Sequence, residues 1–233
     1  MTKKATLLGA TGLIGSHILN LLKEDPAFDE IKVIVRRPLE EKHPKVKVVV
    51  IDFNNTEEFE AAMGGSDVVF SAIGTTQKKV KGDKEAYRKI DYDITVNAAK
   101  FSLKSGCKQF LVVSSIGADS SKSNFYLKLK GEVEDALREL SVKDDGIESL
   151  SIFRPSLLLG NRSETRIAES IGQFFAKGLS FLFPKNYKPI EGEKVAEAMV
   201  EVAKMREKGV EVYEYGEMKE VLNRRMSNTE PQI

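Results

Sequence analysis

Tryptophan is absent from this sequence, histidine occurs twice and cysteine once. With the single thiol Cys107 no intramolecular disulfide can form, which fits a reducing compartment, and the cytoplasm is the expected location. His17, His43 and Cys107 lie far apart along the chain, so no metal cluster is expected. Long apolar runs are also missing: none approaches the roughly 20 residues of a membrane span. The segment Ala5–Leu8 behind the N-terminal lysines is too short for the core of a signal peptide. Nor is there an excess of one charge. The 36 Lys and Arg nearly cancel the 35 Asp and Glu, so neither nucleic acid nor a membrane surface is expected as a partner.

What is present is a well-spread hydrophobic fraction of 41% over 233 residues, enough to bury the core of one large α/β domain. Short, nearly continuous apolar runs read as strands at Ala5–Leu8, Ile31–Val35, Val46–Ile51, Val68–Ala72, Phe110–Ser114 and Leu150–Phe153. Between them Ile14–Lys23, Glu57–Met63, Lys84–Lys104 and Phe125–Leu140 read as helices, with Ile14, Ile18, Leu21 and Leu22 on one stripe. This alternation predicts a doubly wound, mostly parallel sheet of the Rossmann type, with its ligand crevice at the strand C-termini. After Arg154-Pro155 the rhythm changes. Ile167–Lys177 and Val195–Met205 look helical around the stretch Phe183–Gly192. The reading is one domain over 1–233: a cofactor-binding core at 1–155, a small substrate-side lobe on the same sheet at 156–226, and a frayed tail at 227–233. Phe174, Phe175, Phe181 and Phe183 suit either an apolar substrate pocket, ordinary core or an oligomer contact.

Between the first strand and first helix stands Gly9-Ala10-Thr11-Gly12-Leu13-Ile14-Gly15. A pyrophosphate needs backbone N–H groups at a helix N-terminus with no side chain in the way. Gly9 and Gly12 permit the tight turn and close approach, and Gly15 lets helix and strand pack, so a dinucleotide site is expected over Gly9, Thr11, Gly12, Leu13, Ile14 and Gly15. The second strand ends in Arg36-Arg37, with no carboxylate for a ribose 2′-OH, which favours NADP(H) over NAD(H). Asp52 and Phe53 are expected at the adenine, and Ala72, Ile73, Gly74 and Thr75 along the ribose and pyrophosphate.

Tyr126 and Lys130 form a Tyr-x-x-x-Lys pair at the start of a predicted helix, where residues four apart share a face. The ammonium stabilises the phenolate, so the tyrosine can exchange a proton with a substrate oxygen while a nicotinamide carries the hydride. Ser114 and Ser115 end the fifth strand at the crevice. Ser115 is the first choice to hold the substrate oxygen, and Ser114, Tyr126 and Lys130 are counted among the cofactor contacts.

Together these residues resemble the short-chain dehydrogenase/reductase superfamily in its extended or atypical branch. The blocks Ile73–Thr76, Gly106–Lys108, Ser114–Asp119, Tyr126 with Lys130–Glu134, and Phe153–Pro155 are similar to the Tat-interacting-protein type of atypical NADPH oxidoreductase, from about Lys4 to Val202. The resemblance implies an NADPH-binding oxidoreductase fold with Pro155 and Ser156 near the nicotinamide. It departs at Asp91, where extended enzymes often carry asparagine, and Asn97 is no evident substitute. It also implies protein binding and regulation. Three functions therefore stand open: reduction of a carbonyl (or the reverse) on a small molecule; NADP(H)-dependent regulation of a partner without turnover; and, ranked last for want of a large lobe, nucleotide-sugar epimerisation or dehydration.

Overall fold

The computed structural model describes residues 2–76, 80–142, 145–159, 188–205 and 207–229. The strands are β1 (Lys3–Leu8), β2 (Phe28–Val35), β3 (Val46–Val50), β4 (Val68–Ser71), β5 (Gln109–Val113), β6 (Ser149–Phe153), β7 (Leu158–Leu159), β8 (Ile190–Glu191) and β9 (Gly209–Tyr213). The helices are α1 (Leu13–Glu24), α2 (Thr56–Met63), α3 (Lys84–Arg88), α4 (Ile94–Lys104), α5 (Phe125–Ser141), α6 (Gly192–Met205) and α7 (Tyr215–Thr229), with a π-helical turn, Lys89–Asp93, joining α3 to α4.

Seven strands form one sheet in the order β3-β2-β1-β4-β5-β6-β9, and every neighbouring pair is parallel. The order reverses between β1 and β4, so the crevice opens over the C-terminal ends of those two strands. Alternate strand residues feed two cores, as the pleat requires. Leu7, Val33, Phe70, Leu111 and Phe153 face α1, α6 and α7. Leu8, Ile34, Val69, Phe110 and Ile152 face α2, α4 and α5. Each fully buried Leu or Phe contributes about 1.5–3 kcal/mol, and burial on both faces explains the continuous apolar runs. α1 ends at Asp25, whose extended backbone (ψ 121) precedes Pro26, a position where helix is disfavoured.

All six predicted strands and the helices at Ile14–Lys23, Glu57–Met63, Phe125–Leu140 and Val195–Met205 are present within a few residues of their expected bounds. Segment Lys84–Lys104 is not a single α-helix, because the π turn interrupts it. The substrate-side segment divides. β7 and β8 pair as a separate two-stranded sheet, while α6, β9 and α7 join the main layers, with α6 packed on α1. The tail expectation is corrected in part. α7 continues through Thr229, anchored upstream by buried Met218, Val221 and Leu222, so Ser227–Thr229 are helical despite their polarity. The predicted helix Ile167–Lys177 and the four phenylalanines at 174, 175, 181 and 183 lie outside the described residues.

Candidate active site

The glycine turn is built as a cradle. Gly9 has φ +85, and a Cβ there would lie 2.4 Å from the Ala72 carbonyl oxygen; a Cβ at Gly15 would lie 2.1 Å from the Gly9 carbonyl oxygen. Only glycine permits both the left-handed backbone and the closeness of β1, α1 and the strand-end loop after β4. Gly12 caps α1 without a side-chain hydrogen bond. The first-turn N–H groups, which have no intrahelical partner, are thus left for an anion.

An open cleft above this turn is lined by Gly9, Thr11, Gly12, Arg36, Phe53 and Ala72–Thr75, with Ile90 and Ile94 added by the π turn and α4. Nine residues expected at the cofactor therefore meet here. A second, more polar hollow adjoins it, sharing Arg36 and Phe53 and adding Asp52, Asn54, Lys89, Asp93 and Asn97. The two hollows together could hold a dinucleotide, with the glycine turn as the group of residues able to take phosphates. Arg37 is exposed on the same strand end and lines neither hollow. The Ile14 side chain belongs to the core, leaving its backbone N–H as the group that can face a phosphate.

α5 starts on Asn124, whose side chain accepts from the Leu127 N–H, and so carries Tyr126 and Lys130 on its first two turns. Tyr126 is half-buried, its ring 6.5 Å edge-on from that of Tyr87. The Lys130 ammonium is buried and lies 3.0 Å from Oδ1 of Asp91, itself only 1% exposed. Burial opposes that charge, but Asp91 foremost, then Tyr126 and Glu134, hold the ammonium above lysine's ordinary range. The other Asp91 oxygen, Oδ2, accepts from the Thr75 N–H at 2.9 Å, and the Tyr87 hydroxyl donates to the Thr75 carbonyl at 2.9 Å. Burial, with the charge of Asp91, pushes the Tyr87 phenol upward, so it stays a donor.

The two strand-end serines have different surroundings. Ser114 is buried, and its hydroxyl donates to Glu134 Oε1 at 2.5 Å. Glu134 in turn accepts a bidentate pair from Arg154, at 2.9 Å from Nε and 2.5 Å from Nη2. Ser114 is thereby engaged in a network behind the site. The Ser115 hydroxyl donates a long 3.4 Å bond to the Ile116 carbonyl and is half-buried just beyond the C-terminal end of β5, lining neither hollow. Pro155 is buried and accepts from the Ile116 N–H at 3.0 Å; Ser156 donates to the Lys188 carbonyl. Asp91 as the counter-ion of Lys130, and Tyr87, Ile90 and Glu134 beside it, were not singled out by sequence. Only the unusual acid in place of asparagine hinted at the first.

Among the described residues no cluster of three or more His, Cys, Asp or Glu could hold a metal, and no helix is long and apolar enough to cross a membrane. Cys107 is buried, and burial pushes its thiol up to about 11.

Fold and cradle define an NAD(P)-binding Rossmann protein of the short-chain dehydrogenase/reductase kind. A family model described as NAD(P)H-binding matches residues 9–206. Protein HTATIP2 of Rattus norvegicus is 35% identical over 188 residues, 79% of this chain and 75% of that protein. Protein FMP52, mitochondrial, of Candida albicans is 33% identical over 227 residues, 92% of this chain and 90% of that protein. The chain belongs to this NAD(P)H-binding family, in its HTATIP2-like, atypical short-chain dehydrogenase/reductase branch. Among solved structures, MoeE5 in complex with UDP-glucose and NAD shares the fold with a TM-score of 0.70 at 16% identity, covering 97% of this chain and 82% of that one. A dTDP-glucose 4,6-dehydratase from Streptomyces venezuelae, DesIV, does so with a TM-score of 0.67 at 15% identity, covering 90% and 74%.

Proposed function

We propose that this protein is an NADP(H)-dependent oxidoreductase that reduces a carbonyl of a small molecule to the alcohol, or runs the reverse oxidation. The observation that carries the reading is the tie of Lys130, one turn along α5 from Tyr126, to the loop Ala72–Thr75, made through Asp91. When bound, the reduced cofactor supplies a hydride. Tyr126 would give its phenolic proton to the carbonyl oxygen of the substrate, Lys130 would stabilise the phenolate left behind, and Ser115 would donate a hydrogen bond to the same oxygen. Pro155 and Ser156 bound the nicotinamide end in this reading. Arg36, lining both hollows where no carboxylate ends β2, pairs with a 2′-phosphate and favours NADP(H) over NAD(H).

A panel of aldehydes, ketones and quinones, screened for NADPH oxidation beside Tyr126→Phe, tests the reaction. Wild type is expected to exceed the variant by about 10²–10⁴-fold. NADPH binding with no turnover above the variant would move the reading to a regulatory NADP(H)-binding protein. Arg36→Ala is expected to weaken NADPH about tenfold or more while leaving NADH nearly unchanged; equal losses, read by fluorescence titration, would remove the 2′-phosphate assignment. For location, the buried lone thiol suits the cytoplasm. The mitochondrial naming of the FMP52 relatives makes the mitochondrion the competing compartment, and a tagged chain imaged in cells decides between them.

A further inference from the structure

We propose that Asp91 is the positioning residue that joins the proton-handling half of this site to its cofactor-binding half. The inference rests on the site assignment above and deepens it. The π turn Lys89–Asp93 widens the helix by one residue and carries Asp91 to a place where it is 1% exposed. Such turns recur where a helix must aim one side chain off its regular stripe. The two carboxylate oxygens then serve different partners. Oδ1 lies 3.0 Å from the Lys130 ammonium, and the attraction of the two charges is the larger part of that pairing. Oδ2 accepts the Thr75 N–H at 2.9 Å, at the end of the Ala72–Thr75 run that lines the cofactor cleft.

The same helical segment grips the loop twice, because Tyr87 of α3 donates to the Thr75 carbonyl. A Cβ at Gly74 would stand 3.8 Å from Asp91 Oδ1, so the loop passes directly over the carboxylate. Among the described residues the ionisable groups acting on Lys130 are Asp91 from the π turn and Tyr126 and Glu134 from α5, while Tyr87 of α3 feels Asp91 and Tyr126. Glu134 already accepts from Ser114 and Arg154, so Asp91 is the carboxylate left to compensate the ammonium. A buried lysine without such a partner sheds its proton readily. Asp91 thus keeps Lys130 charged and, by the same group, holds the cofactor loop.

Two readouts that need no substrate test this. In protein labelled with ¹³C at the lysine ε-carbon, the Lys130 signal, assigned by its absence in Lys130→Arg, is followed against pH. Asp91→Asn is expected to lower its titration midpoint by about 1–3 pH units; an unchanged or raised midpoint overturns the charge-holding role. Asparagine can still accept from Thr75 and alanine cannot. Asp91→Ala is therefore expected to bind NADPH about 3–10-fold more weakly than Asp91→Asn, and equal affinities overturn the loop tie. If Asp91→Asn fails to fold, the double variant Asp91→Asn with Lys130→Met, which removes both charges, is expected to fold. Failure of the double variant as well overturns the pairing. Absence of carbonyl turnover would leave these outcomes standing, so the two readings fail separately.

Discussion

Lys130 carries its charge where water scarcely reaches it, and that has a consequence at high pH. Its ionisation is held above lysine's ordinary 10.5 in the folded chain, chiefly by Asp91 against the opposing effect of burial. The contribution to stability is therefore fully present below 10.5 and is lost as pH rises through the higher, folded value. Urea unfolding followed from about pH 9 to pH 12 is expected to show wild type losing stability more steeply than the double variant Asp91→Asn with Lys130→Met. Parallel curves would mean that the buried pair adds nothing. At this scale much of the site was legible. Tyr126 and Lys130 stand out by their spacing, and Arg36 by its place after β2. The sequence already ranked Ser115 before Ser114 for the substrate oxygen; what it did not show is that Ser114 is engaged by Glu134, 20 residues away.

Elements were read mostly from apolar periodicity, which locates a helix but says little about what it must pass. α5 is an instance. A Cβ on Gly131 would lie 2.1 Å from the Ser120 nitrogen and 2.3 Å from the Asp119 carbonyl carbon. The glycine lets the loop from Ser114 to Asp119 close over the helix that bears Tyr126 and Lys130. Gly131→Ala is expected to destabilise the fold by about 3 kcal/mol through overpacking against backbone, measured by urea denaturation; a loss below about 1 kcal/mol would show that the loop yields easily. The π turn between α3 and α4 was equally hidden. What marks it is a buried carboxylate whose partners lie on a loop and on another helix. β9 was missed for a different reason. Gly209–Tyr213 is short and edge-placed, with Glu211 exposed between half-buried valines, so its apolar signal is weak.

For the whole molecule, the chain beyond Gly192, expected as a small lobe on the same sheet, supplies that sheet's last strand. β9 pairs along β6, Tyr213 stacks on Phe153 with ring centroids 4.8 Å apart, and Met218, Val221 and Leu222 of α7 close the core beside α1 and α6. Deletion from Gly209 onwards is expected to abolish cooperative unfolding, because it removes the edge partner of β6 and the α7 side chains that close the core; a truncated chain that melts sharply near the wild-type temperature would show that this strand and helix are separable. The sequence by itself determined the parallel sheet, the tight glycine turn between β1 and α1, and the placing of Tyr126 and Lys130 four apart on one helix. Those depend on local patterns: apolar runs buried on both faces, glycines where a Cβ cannot fit, and residues four apart on one helix. Only the tertiary structure decided that Asp91 pairs with Lys130 and Thr75, that Ser114 is engaged by Glu134, and that the C-terminal strand joins the main sheet. Each of these is a contact between groups distant in the chain, whose favourable geometry exists only once the layers have packed.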